Sequence, residues 1–403
     1  MVSETVAEPV VPVRRSWMAW LFVANLGLWL AIYAPIQILL PQQAEQLDKA
    51  NKVFVFGVVT GVGAFVSMVV VPLIGFLSDR TTSRFGRRHP WTLGGSAVGA
   101  VGLGVLAEAD SVHVMTIGWC LVQAGIGGML AALMSTVPDR VPVVQRAQVG
   151  GLIGISQMLG TLAGAVVVTE LVSGLPAGYL ACAVIVVAGA LFFVLRTPDT
   201  KLVEKPVRLT LWISPREHPD FAWAWLGHFM LNVGNALGTL YLLFFLGDVV
   251  HHPAPETGLL ELMALYGVAL TAGAVLFGAR SDRSGRRKPY VYLASAVMAL
   301  AALLLAVWPT WEAVLVAAPL LGFGFGIYMA VAIALLTQVL PSAADRAKDL
   351  GVVNVANALP QVVAPLLAAL ILANLGGYRG LFAASALATA LAAVLMSRVR
   401  SVV

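Results

Sequence analysis

The chain has 403 residues, of which 59% are hydrophobic and only 11% charged, with a mean hydropathy of +0.89. Soluble domains carry about 25% charged residues, so this composition argues against a water-soluble enzyme or binding domain, and the surrounding solvent must be lipid. The formal net charge of +5 then reports the arrangement of the chain in a membrane, and no nucleic-acid partner is expected.

The apolar residues fall into twelve blocks close to the ~20 residues that a ~30 Å hydrocarbon core requires. In chain order they cover 17–40, 53–77, 91–107, 112–137, 147–170, 177–195, 221–247, 259–279, 290–308, 312–339, 349–373 and 379–396. The first is too long for a signal-peptide core, so it reads as an uncleaved span with Arg14 and Arg15 as its topology anchor. With both termini in the cytoplasm, 22 of the 25 Lys and Arg fall in cytoplasmic segments, leaving Lys49, Lys52 and Arg379 outside. That is the bias of a multi-pass protein of the cell (inner) membrane. Cys120 and Cys182 lie inside predicted spans without ligand-like neighbours, which predicts neither a disulfide nor a metal site.

Two stretches repeat. Gly75-Phe76-Leu77-Ser78-Asp79-Arg80 closes the second span and Gly278-Ala279-Arg280-Ser281-Asp282-Arg283 closes the eighth, 203 residues later. Pro138 and Pro341, closing spans four and ten, are the same 203 residues apart. The expected fold is therefore an all-α integral membrane protein of 12 transmembrane helices in two pseudo-symmetric six-helix bundles. The bundles are placed at 1–195 and 221–403, joined by a charged, proline-containing cytoplasmic linker at 196–220. Such duplication suits alternating access about a site near the membrane midplane.

After the shared Ser-Asp-Arg, the first copy continues Thr81-Thr82-Ser83-Arg84-Phe85-Gly86-Arg87-Arg88-His89-Pro90 and the second Ser284-Gly285-Arg286-Arg287-Lys288-Pro289. A glycine allows the tight turn, an acid pairs at the helix end, and clustered arginines hold the loop at the cytoplasmic face. The pattern resembles the short loop motif of the major facilitator superfamily in both halves. The longer first copy, with Ala34-Pro35-Ile36-Gln37, is similar to sucrose/proton symporters and to bacterial relatives of the glycoside-pentoside-hexuronide type. The resemblance implies that Gly75, Asp79, Arg80, Gly86, Arg87 and Arg88 form a conformational latch that helps hold the outward-facing state. It implies a second copy from Gly278, Asp282, Arg283, Gly285, Arg286 and Arg287. The alternative, that the arginines only anchor topology, stays open, above all for Arg84 and Lys288.

Polar side chains inside a bilayer are costly and mark a cavity or a helix contact. Asn25 and Gln37 lie in the first span, Gln123 in the fourth and Gln157 in the fifth. His228, Asn232 and Asn235 share one face of the seventh, Gln338 lies in the tenth, and Asn354, Asn357 and Gln361 share a face of the eleventh. Spans three, six, nine and twelve carry no Asn, Gln or His, the partition implied by a superfamily whose helices 1, 4, 7 and 10 line the cavity. With Tyr33, Tyr241, Tyr266 and Tyr328 these faces suit a hydroxyl-rich solute, and they serve equally as interhelical hydrogen bonds. His228 is set apart because the free imidazole side chain is the type whose ordinary pKa lies near neutrality. The acids Glu170, Asp248 and Glu261 sit at outer span ends, as rim residues or as proton sites.

The expected function is secondary transport of a small solute, a sugar or glycoside moved by proton symport, with proton-coupled efflux of a drug or metabolite as the alternative. The fifth span lacks the proline of a Gly-Pro exporter motif. A membrane enzyme or a non-transporting sensor is the alternative of another class. No phosphate-binding loop, cofactor or metal is expected; the expected partners are the small-molecule substrate, protons and the lipid bilayer, around a monomeric chain.

Overall fold

A computed structural model describes residues 11–199, 218–339 and 346–401. Residues 200–217, the body of the expected linker, lie outside the described residues. So do the side chains of Asp282, Asn354, Asn357 and Gln361.

Lipid offers no partner for backbone N–H and C=O groups, so a spanning chain satisfies them within helices. Every regular element among the described residues is helical. In the first half these are α1 (Arg15–Ala34), α2 (Leu40–Leu47), α3 (Lys52–Asp79), α4 (His89–Ala107), α5 (Val112–Arg140), α6 (Val143–Val166) and α7 (Leu175–Arg196). In the second they are α8 (Pro219–Thr239), α9 (Leu242–Asp248), α10 (Pro255–Ser284), α11 (Lys288–Val307), α12 (Trp311–Gln338), α13 (Arg346–Asn374) and α14 (Gly377–Ser397). Eleven helices among the described residues are long and apolar enough to cross a membrane, and α13, 29 residues long, supplies the twelfth.

Helix starts follow local chemistry. Proline occupies one of the first two positions of α4, α7, α8, α10 and α11, where a missing N–H costs nothing. Ser111 and Thr310 cap α5 and α12 through their side-chain oxygens. The spans differ from expectation in their interiors. The first passes through a π-helical turn, Pro35–Leu39, before α2, and the fifth ends in another, Val167–Leu171; Pro35 lacks the N–H that a regular turn would use there. The seventh breaks at Tyr241 into α8 and α9, and the Tyr241 hydroxyl donates to the Pro365 carbonyl at 3.0 Å, which fixes the break.

The described residues form two compact units, one within 1–50 and 62–207, the other within 51–61 and 208–403. Inside the first, α1 packs on α6 and α7, and α4 packs on α5 and α7. Inside the second, α8 packs on α13 and α14, and α11 packs on α12 and α14. The two neighbour patterns are the same once the sequence repeat is applied. Large apolar side chains left exposed on α4, α7, α11 and α14, such as Val101, Val184, Leu300 and Leu387, form faces suited to lipid tails.

Candidate transport site and cytoplasmic latch

The first loop is built around one buried arginine. Arg88 is 2% exposed. Its guanidinium donates to Asp79 Oδ1 at 2.5 Å and to Asp139 Oδ2 at 2.8 Å, and bonds Ser78 Oγ as well. Arg87 holds the same Asp139, Nε to Oδ2 at 3.0 Å with a second bond from its other arm. A charge this deeply buried is tolerated only when paired and hydrogen-bonded. Asp199, just past α7, accepts from the backbone N–H of Arg88 at 2.7 Å and of His89 at 2.8 Å, which caps the start of α4. Gly86 has φ +96°, and a Cβ there would run into Asp199, so the turn requires glycine on both counts.

Of the six expected first-copy residues, the structure brings together Asp79, Gly86, Arg87 and Arg88. Arg80 stands apart, its guanidinium 3.5 Å over the Phe76 ring. Gly75 accepts from Ser78 Oγ through its carbonyl at 2.9 Å and has open space where a Cβ would lie.

The second loop repeats this plan in shorter form. Arg287 Nη1 donates to Ser281 Oγ at 2.6 Å, as Arg88 does to Ser78. Gly285 has φ +65° and caps α10. Tyr290 OH lies 3.5 Å from Ser284 Oγ, matching the bond from Trp91 Nε1 to Thr81 Oγ1 at 2.8 Å. Arg283 and Arg286 are exposed, and Gly278 sits 3.5 Å from Ala330 at its missing Cβ. Where the first copy has Asp139, the repeat offset of 203 residues puts Ser342.

The polar face of the first unit starts on α1. Asn25, Trp29, Tyr33 and Gln37 recur every four residues along one side of the helix and its π turn. Asn25 is fully buried and its amide donates to Leu21 O, which leaves Oδ1 without a hydrogen-bond partner among the described residues. Trp29 Nε1 and Gln37 Oε1 are buried and unpartnered in the same way. Tyr33 stacks on Trp29 and accepts from Gln157 Nε2 at 3.2 Å. On α5, Trp119 Nε1 is a further buried donor without a partner, one turn before Gln123. Gly63 of α3 makes room for that indole, since a Cβ there would lie 2.6 Å from Nε1.

In the second unit the described residues His228, Asn232, Asn235 and Tyr241 each have a hydrogen-bond partner. His228, 3% exposed, bonds Tyr328 OH through Nδ1. Asn232 donates to His228 O at 2.9 Å, and Asn235 accepts from Tyr266 OH at 3.0 Å. Tyr241 is spent on Pro365. Gln338 is exposed at the end of α12. Among the described residues no group of His, Cys, Asp or Glu is placed to hold a metal ion.

Sequence reasoning missed Asp139, Asp199, Trp29 and Trp119. Asp139 carried a usable signal, an acid beside the helix-closing Pro138. The indoles carried none, because a tryptophan in an apolar span reads as packing or as an interfacial anchor.

Two duplicated helical units with arginine-rich loops and buried uncharged polar faces define a multi-pass membrane transporter fold. The sequence model of the Major Facilitator Superfamily matches residues 3–165, 53–262 and 224–402, and the chain belongs to that superfamily. The solved structure of the nucleoside transporter NupG superposes with a TM-score of 0.76 at 14% identity, covering 94% of this chain and 99% of that one. The human organic anion transporter MFSD10 (TETRAN) gives 0.69 at 19% identity, covering 96% and 100%. At these identities the likeness is one of fold. The general alpha-glucoside permease of Schizosaccharomyces pombe is 28% identical over 122 residues, a match covering 25% of this chain and 22% of that protein. This chain thus spans about a fifth of that relative's length.

Proposed function

We propose that the chain carries a neutral, hydroxyl-bearing solute, a sugar or glycoside, by proton symport through alternating access. One observation carries the reading: the first unit keeps Trp29 Nε1 and Trp119 Nε1 as buried donors, and Asn25 Oδ1 and Gln37 Oε1 as buried acceptors, without partners among the described residues. Leaving such groups unsatisfied costs about 1–3 kcal/mol each, so their retention calls for a visiting partner. A hydroxyl both accepts and donates, and an indole face suits the apolar side of a sugar ring. The stripe Asn25, Trp29, Tyr33, Gln37 and its neighbours Gln123 and Gln157 carry no charge, which disfavours an ionic solute. The partial likeness to an alpha-glucoside permease and the fold shared with a nucleoside transporter, another class of hydroxyl-bearing solute, point the same way.

In this reading the bundles 1–195 and 221–403, joined by 196–220, give access to the site from one side of the membrane and then the other. The first loop latches one state through Asp79, Arg87 and Arg88, and the second loop gives a weaker copy. His228 with Tyr328 carries the coupling proton, being an ionisable group buried within a span. The chain works as a monomer in the cell membrane with both termini cytoplasmic. Purified protein in liposomes, assayed with a panel of sugars and then lipophilic drugs, with and without a pH gradient, tests this. Gradient-driven sugar uptake supports it, and drug export without sugar uptake overturns it.

A further inference from the structure

We infer that the second unit carries a binding site for the phosphate group of an anionic membrane phospholipid, built by Trp223, Arg398 and Arg400 where α8 begins and α14 ends. The inference rests on the chain being a multi-pass membrane protein and is independent of the solute it carries.

The sequence repeat locates the site by contrast. In the first unit α7 approaches α1 at Gly189, where a Cβ would lie 3.1 Å from Val23 O and 3.4 Å from Ala24 Cα. In the second, Gly227 and Ala392 stand 203 residues after Ala24 and Gly189, and a Cβ at Gly227 would lie 3.4 Å from Ala392 O. The helix pairs α1 with α7 and α8 with α14 therefore pack in the same register. Four aromatic rings fill the end of this contact in the first unit. Trp17 sits edge-on to Phe193 at 6.3 Å, and Trp20 stacks on Phe192 at 5.8 Å between centroids. Arg196 then closes over Trp20, its guanidinium 5.6 Å from the ring. The matching positions of the second unit hold Asp220, Trp223, Leu395 and Met396. One ring remains of the four, and a cavity of about 380 Å³ opens there, lined by Pro219, Asp220, Trp223, Ser397, Arg398 and Arg400.

The walls of this cavity are fixed in place. Asp220 Oδ2 accepts from the backbone N–H of Arg400 at 3.1 Å and of Ser401 at 2.6 Å, and Lys288 Nζ donates to Val399 O. The segment after α14 is thereby tied to the starts of α8 and α11, with Val399 buried between the two arginines. The cations are unspent. Among the described residues neither guanidinium forms an ion pair or covers a ring, and Trp223, 39% exposed, has no ring or cation against it. Guanidinium presents a planar fork of donors that matches phosphate oxygens. Because α8 and α14 are both long and apolar enough to cross a membrane, the cavity lies at the depth of lipid headgroups, where an exposed indole is at home. Two arginines against Asp220 leave the lining cationic, which favours an anionic headgroup over a zwitterionic one.

The test uses full-length protein freed of lipid in a neutral detergent and titrated with dioleoylphosphatidylglycerol, dioleoylphosphatidylcholine or inorganic phosphate, with bound molecules counted by native mass spectrometry. Phosphatidylglycerol is expected to bind ahead of phosphatidylcholine. Its affinity should fall about thirtyfold in Arg398→Gln with Arg400→Gln, the effect of two charges lost near the surface. Arg398→Lys with Arg400→Lys keeps the charge and should recover most of that affinity, which a folding defect would not allow. Arg14→Gln with Arg15→Gln removes as much charge from the start of α1 and should leave the binding unchanged. Equal loss in both glutamine pairs, or no loss in the first, overturns the site. Inorganic phosphate binding as tightly as phosphatidylglycerol overturns the lipid as its ligand.

Discussion

Arg88 reaches Asp139 across 51 residues of chain, Nε to Oδ2 at 2.8 Å, with the guanidinium 2% exposed. Asp139 also holds Arg87, so one carboxylate balances two cations at one end of the first unit. Breaking a buried pair by deleting one partner leaves the other charge uncompensated, at about 3–5 kcal/mol. Asp139→Ala is expected to lower the melting temperature of the detergent-solubilised protein and to abolish transport together.

Asp79 is placed differently. Its side chain is 47% exposed and its bond to Arg88 is one of three that this guanidinium makes. Asp79→Asn should leave insertion and thermal stability close to wild type while transport is lost. Full transport in the variant removes Asp79 from the latch.

Glycine is required at Gly86 for two reasons and at Gly285 for one. At both, positive φ disfavours a side chain by about 1–2 kcal/mol, but only Gly86 also has Asp199 where a Cβ would go. Gly86→Ala should therefore destabilise more than Gly285→Ala in parallel thermal melts. Equal losses would mean that Asp199 can move aside freely.

Trp29 and Trp119 give opposite signs for stability and for binding. Replacing either by Phe deletes an unpartnered buried donor, which is neutral or slightly stabilising for the fold. If the solute supplies the missing acceptor, KM rises about fivefold to tenfold, the loss of one hydrogen bond. Unchanged KM in both variants, measured with the sugar that wild type transports, places the recognition site elsewhere.

His228 and Tyr328 bond each other inside the second unit. In the neutral tautomer that carries its proton on Nε2, Nδ1 accepts from the tyrosine hydroxyl, whereas imidazolium donates from Nδ1, so protonating that tautomer reverses this bond. His228→Ala should flatten the rise in uptake that acidification of the outer face produces. A pH profile that keeps its wild-type shape excludes the histidine from coupling.

Much of the architecture was legible in the sequence because lipid is an undemanding reader. It asks for about 20 apolar residues per crossing and keeps arginine on one side, which placed span ends within a few residues of α3, α4, α7 and α11. The 203-residue repeat likewise announced the matching loops, and the shared Gly-Arg-Arg, 199 residues apart because the second loop is shorter, marked the paired turns at Gly86 and Gly285. What hydropathy does not register is a local change of helix type. The π turn at Pro35–Leu39 and the break at Tyr241 sit inside segments that remain apolar throughout.

The sequence by itself determined that the protein crosses the membrane repeatedly and that its loop motif occurs twice, because those follow from composition and local order. Only the tertiary structure decided who partners whom. Asp139 meets Arg88, Asp199 meets the start of α4, and Lys52 meets Asp248 196 residues away. Burial and distance, which no linear pattern encodes, also left the indoles of Trp29 and Trp119 waiting for a partner while His228 had already found one.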